Sequence, residues 1–100
     1  MGSARPRPRR LAEKLLQIRQ TLGFSQSEMV RQLGVGELIH YNNISKYELD
    51  KNEPPLVILL AYAKLAHIHL EEIVDDDIDL PRRLPGTFDY YARLAQQTEG

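Results

Sequence analysis

Leu11, Leu15, Ile18 and Leu22 recur at intervals of four, three and four residues, and the period stops at Gly23. Two residues later Ser25-Gln26-Ser27-Glu28 has the pattern of a capping box, with Ser25 as the N-cap and Glu28 at the third helical position. A second short period, Met29, Val30 and Leu33, follows and ends at Gly34. Residues spaced three or four apart lie on one face of a helix, and glycine just past the last turn adopts the left-handed conformation that ends one. The chain therefore opens its core as helix, tight turn, short helix.

The rest continues in the same manner. Gly36 and the pair Asn42-Asn43 mark a loop after Val35, and Ile44 and Tyr47, three apart, place a third short helix. Asp50 to Pro55 is a polar turn, because Pro54 biases Glu53 away from helix and Pro55 suits the first turn of the next one. That fourth helix has apolar residues at Leu56, Leu59, Leu60, Ala63, Leu65 and Ala66, nearly all round, which predicts a buried central helix. A fifth short helix holds Leu70, Ile73 and Val74, and no segment alternates as a strand would. The expected fold is all-α: a compact five-helix domain over residues 9–75, preceded by a basic arm (1–8) and followed by an acidic, Pro-flanked tail (76–100). Within the tail, Thr87 to Gln97 sets Phe88, Tyr91, Leu94 and Ala95 on one stripe.

Charge is divided unevenly. Residues 1–53 carry nine Lys/Arg against six Asp/Glu, and residues 54–100 carry four against eight, so a net charge of −1 hides a basic and an acidic half. With no cysteine there is no disulfide framework or thiolate chemistry. The longest apolar run, Leu56 to Ala61, is six residues, against the ~18 that span a bilayer. No apolar stretch follows the N-terminal arginines and Pro6 breaks a myristoylation pattern, so the expected setting is cytoplasmic, with no membrane partner. His67 and His69 are expected to face opposite ways on a helix, without further zinc ligands. Asp75-x-Asp77-x-Asp79 begins like a calcium loop but meets Leu80 where glycine is needed and Gly86 where glutamate is needed. That acidic run reads instead as a solvated cap or a surface for a basic partner. No glycine-rich phosphate cradle or nucleophile setting occurs, so neither a cofactor nor enzymatic activity is expected.

A third helix with Ile44 and Tyr47 inward turns Asn42, Ser45, Lys46 and Leu49 outward, with Asn43 on the flank. Asparagine can bond adenine N6 and N7, and lysine can donate to guanine O6 or N7 in a major groove. On composition alone these are equally the solvated residues of an exposed helix.

Order and spacing extend this reading. LAEKLLQIRQTLGFSQSEMVRQLGV and ISKYELDKNEPPLVILLAYAKLAHIHLEEIV together resemble the phage-repressor-type helix-turn-helix domain of the Xre family, over about residues 9–75. The resemblance rests on Ser25-Gln26, Leu33-Gly34-Val35, Ile44-Ser45-Lys46-Tyr47-Glu48, Pro55-Leu56 and Leu70-Glu71-Glu72-Ile73. It implies a sequence-specific, repressor-like transcriptional regulator that binds double-stranded DNA as a homodimer. By the same resemblance Tyr41, Asn42, Asn43 and Lys46 would reach base edges. Gln26 would bond a phosphate and brace the recognition helix, Lys51 and Asn52 would clamp phosphate, and Ser25, Arg9, Arg10 and Arg19 are further backbone candidates. The Arg5/Arg7 arm would track the duplex, while Glu48 would bond within the protein.

Two departures stand out. Val35 and Ile44 are separated by eight residues where the family usually has about four, and the excess, Gly36-Glu37-Leu38-Ile39, could lengthen helix two, add a turn or move the start of helix three. It bears on His40 and Tyr41 more than on Asn42 and Lys46. Leu49 and Asp50 stand where polar and glycine residues are common, leaving Leu49 a backbone N–H or a thymine methyl contact. The competing reading is an antitoxin or adaptor that captures a protein partner through residues 76–100.

Overall fold

The computed structural model describes residues 7–87. The expected tail stripe from Phe88 onward and the arm residues before Arg7 lie outside that range. Five helices follow in order: α1 Leu11–Leu22, α2 Gln26–Leu33, α3 Tyr41–Glu48, α4 Leu56–Ala66 and α5 Leu70–Val74. There is no strand among the described residues, so the chain is all-α.

Each helix stops where local chemistry stops it. Gly23 (φ 79°) closes α1 with its N–H on the Arg19 and Gln20 carbonyls, and Gly34 (φ 73°) closes α2 on those of Val30 and Arg31. Ser25 Oγ accepts the Glu28 N–H at 3.1 Å while a Glu28 carboxylate oxygen accepts the Ser25 N–H at 2.9 Å, completing the capping box. The four-residue excess leaves α2 at its expected length. It forms a separate turn, in which the N–H groups of Leu38 and Ile39 both donate to the Val35 carbonyl, and α3 then starts at Tyr41.

Leu15, Ile18, Met29, Ile44, Ile58, Tyr62 and Ile73 are completely enclosed in one core shared by all five helices. The expectation of an α4 buried all round is corrected. Ile58, Leu59, Tyr62, Ala63 and Ala66 face the core, but Leu56 is 69%, Val57 55% and Leu60 41% exposed. The cause is size: α4 packs on α1, α2 and α5, and no other described element is left to cover its remaining side.

The folded body also runs past residue 75. Leu80 and Leu84 are buried against the core, and residues 85–87 are helical. Gly86 lies so close to the end of α4 that a Cβ there would fall 2.0 Å from the Leu65 carbonyl oxygen. The acidic run is a solvated cap only in part: Asp77 and Asp79 are exposed, while Asp75 and Asp76 are half-buried. Asp76 accepts the backbone N–H groups of Arg9 (2.9 Å) and Arg10 (3.0 Å) just ahead of α1, and Asp79 pairs with Arg10 at 2.8 Å. Beneath them the buried Lys14 ammonium donates to the carbonyls of Glu72, Asp75 and Ile78 at 2.9, 2.7 and 2.6 Å. No described helix is long and apolar enough to cross a membrane.

Candidate nucleic-acid interface

Helix α3 is held by one side and open on the other. Ile44 and Tyr47 are buried between α1 and α2, while Tyr41, Asn42, Lys46 and Leu49 are exposed and Ser45 is half-buried. Its C-terminal end is locked by Glu48, whose carboxylate takes Arg19 Nε at 2.6 Å and Nη2 at 3.0 Å. The Gln26 amide joins the same carboxylate at 3.2 Å, and the third Arg19 nitrogen, Nη1, reaches the Phe24 carbonyl at 2.9 Å. One carboxylate thus ties the end of α1, the start of α2 and the end of α3, which sets the angle between the two helices of the turn. All three Arg19 nitrogens donate within this network, which gives the guanidinium a structural task. Gln26 braces α3, as expected, and its amide hydrogens are directed there.

Asn43 also has an internal task. Its Oδ1 accepts the His40 N–H at 2.9 Å, satisfying one of the donors left unpaired at the start of α3. The side chain is half-buried, and the cap occupies one of the two acceptor sites of its oxygen, leaving the amide hydrogens uncommitted. Leu49 differs likewise: its N–H donates to the Ser45 carbonyl at 3.0 Å, leaving only the exposed side chain for contact. Tyr41 and His40, brought next to each other by the extra turn, have ring centroids 4.4 Å apart at the start of α3. Asn42 and Lys46 make no side-chain hydrogen bond or ion pair among the described residues, so both project with their donors uncommitted.

The turn after α3 is tight. The N–H groups of Lys51 and Asn52 both point back to the Lys46 carbonyl, at 2.9 and 3.4 Å, and this closure requires Asp50 at φ 59°. Only residues that tolerate the left-handed region fit there, which is why a position of this kind favours glycine. The Lys51 and Asn52 side chains remain exposed. Arg7, placed in the arm by sequence, donates to both the carbonyl (3.2 Å) and carboxylate (3.0 Å) of Asp50, offsetting that acid of the turn.

Ser25 and Arg10 are elsewhere engaged. The Ser25–Glu28 hydrogen bonds hold the Glu28 carboxyl below its ordinary range, so an ionised carboxylate occupies the start of α2. Arg10 is neutralised by Asp79, by Glu13 at 2.9 Å and by the Asp76 carbonyl at 3.0 Å, and Arg9 lies over Asp76 at 3.9 Å. The arrangement places Asn42, Lys46, Lys51 and Asn52 on one exposed side with Gln26 and Asn43 beside them, leaves Arg9 exposed, and pairs Arg7, Arg10 and Arg19 with carboxylates and Ser25 with Glu28.

Sequence reasoning missed Arg7–Asp50, Lys14 and Asp76. For Lys14 there was a signal: it falls between Leu11 and Leu15 on the apolar stripe of α1, where a charge needs an internal partner. His67 and His69 do not share a helix; His67 ends α4 at φ 56° and His69 precedes α5. Among the described residues no cluster of His, Cys, Asp or Glu is arranged to hold a metal ion. No family model, curated protein or solved structure matches the chain.

Proposed function

We infer that this protein is a sequence-specific DNA-binding transcriptional regulator of the lambda-repressor-like kind, with α3 as its recognition helix. The observation that carries this reading is the asymmetry of α3. Its inner face is buried and its end is triply tethered through Glu48, while Asn42 and Lys46 on its outer face have no side-chain partner among the described residues. A helix of eight residues is about 12 Å long, which suits a major groove about 12 Å wide. Asn42 and Lys46 read base edges, Tyr41 reaches the same groove from the start of the helix, and Leu49 offers an apolar contact to a thymine methyl. Lys51, Asn52 and Arg7 hold phosphates beside the end of α3 and set the register. One such helix covers few base pairs, so the protein acts as a dimer on half-sites about one helical turn apart.

Titration of fluorescent duplexes selected from a random pool, at two salt concentrations, tests this. Saturable binding that weakens steeply with salt is expected. Asn42→Ala and Lys46→Ala should each cost ~1–3 kcal/mol on the selected site and relax specificity, and Lys51→Ala should weaken all sequences alike. Flat curves on every duplex at low salt would overturn the reading.

A further inference from the structure

Asp50 is an acid where a DNA-binding turn has least use for one. It stands directly before Lys51 and Asn52, whose N–H groups close the turn on the Lys46 carbonyl, and its carboxylate repels any phosphate that approaches them. The backbone does not call for it either, since glycine adopts φ 59° at no steric cost. The carboxylate is 60% exposed, and its side-chain partner among the described residues is Arg7, forty-three positions away in the chain.

Arg7 reaches Asp50 with one nitrogen. Nη2 donates to both the carboxylate and the carbonyl, whereas Nε and Nη1 have no acceptor among the described residues and the side chain is 38% exposed. A guanidinium holds its N–H donors in a rigid fork, so fixing Nη2 orients the whole group and leaves the Nε and Nη1 hydrogens unspent. The backbone behind Arg7 is held too. Pro8 keeps Arg7 extended, and the next two N–H groups, of Arg9 and Arg10, are bound to Asp76. The end of the basic arm thus runs between two carboxylates, Asp76 at the backbone and Asp50 at the side chain.

We propose that Asp50 is a positioning residue for DNA: it anchors the Arg7 guanidinium beside Lys51 and Asn52, so that Nε and Nη1 meet the same stretch of phosphate backbone. The fork is oriented before the duplex arrives, and binding does not have to order a long flexible side chain. Carboxylate and phosphate use different edges of the guanidinium, so Arg7 holds both at once. Exposed ion pairs add little to stability, so the effect of this one falls on binding and not on the fold. The inference rests on the DNA-binding reading and assigns a task to the acid that the reading leaves over.

The sign of one substitution separates the alternatives. If Arg7 merely offset Asp50, removing the acid would tighten binding. If Arg7 held phosphate unaided, removing the acid would leave its contribution intact. Anchoring predicts the reverse of both.

The test is titration of a selected duplex over a series of salt concentrations. Asp50→Gly makes the protein more positive, yet it should weaken binding about five-fold and lower the salt slope by about one, as Arg7→Gln does. The double variant should bind no more weakly than either single one, because both remove the same contact. Glycine and asparagine both suit the left-handed position, so Asp50→Asn should behave like Asp50→Gly, and urea midpoints of all variants should match the unaltered protein. Unchanged or tighter binding by both Asp50 variants overturns the proposal, as do losses that add in the double variant or a urea midpoint that falls with them. Failure of the unaltered protein to bind any duplex overturns the DNA-binding reading itself, and the proposal with it.

Discussion

Two buried polar side chains of this core show opposite economies. Lys14 is fully enclosed, and burial pulls its ammonium below the ordinary lysine value, yet three carbonyls around the end of α5 accept its hydrogens. Replacing it by an apolar side chain of similar length strands those carbonyls. Lys14→Met should therefore lower stability by about 2 kcal/mol, the cost of leaving buried acceptors unpaired, read from urea unfolding midpoints. Tyr62 is the counterpart: its ring is completely buried but its hydroxyl has no hydrogen-bond partner among the described residues, and burial, with the Glu48 charge nearby, pushes that hydroxyl well above the usual tyrosine value. Tyr62→Phe removes a desolvated group and no bond. The same unfolding experiment should find it unchanged or more stable, and a loss of 1 kcal/mol or more would reveal a partner for the hydroxyl.

At the scale of the element, the helices differ in where their caps come from. α2 is capped from within its own first turn by Ser25 and Glu28, and α3 by Asn43, so both starts could be read locally. α1 is capped by Asp76, more than sixty residues away, and nothing near Leu11 announces it. The Arg9 and Arg10 N–H groups hold the Asp76 carboxyl below the usual carboxylate range. A depressed folded-state value means that this contribution is complete above the unfolded value of about 3.9 and lost as pH falls through the folded one. Thermal midpoints should consequently drop as the solution is acidified below about pH 4. Asp76→Asn should start less stable at neutral pH and follow a flatter acid limb, and parallel limbs for the two proteins would exclude this cap as the cause.

For the whole molecule, the decisive contact is that of the segment after α5 with α4. A Cβ at Gly86 would collide with the backbone of Leu65 and Ala66, which no side-chain rotation relieves. Arg82 and Arg83 are already exposed, so Gly86→Ala should act by dislodging residues 80–87 and freeing the backbone there for trypsin, raising the initial cleavage rate by about ten-fold while the cut products keep α1 to α4.

The positions of the five helices, the glycine stops at Gly23 and Gly34, the capping box of α2 and the outward set Asn42, Lys46 and Leu49 were all legible in the amino-acid order. Each depends on residues within about four positions of one another, where the helical repeat alone decides who meets whom. Only the tertiary structure decided that Leu56, Val57 and Leu60 stay outside, that Arg19 and Arg10 are consumed by carboxylates, that Arg7 lies on Asp50 and that the body extends to Gly86. An apolar stripe states which face seeks cover, and a charge that it seeks a partner. Whether the cover or the partner arrives depends on segments tens of residues away, brought near only when the whole chain packs.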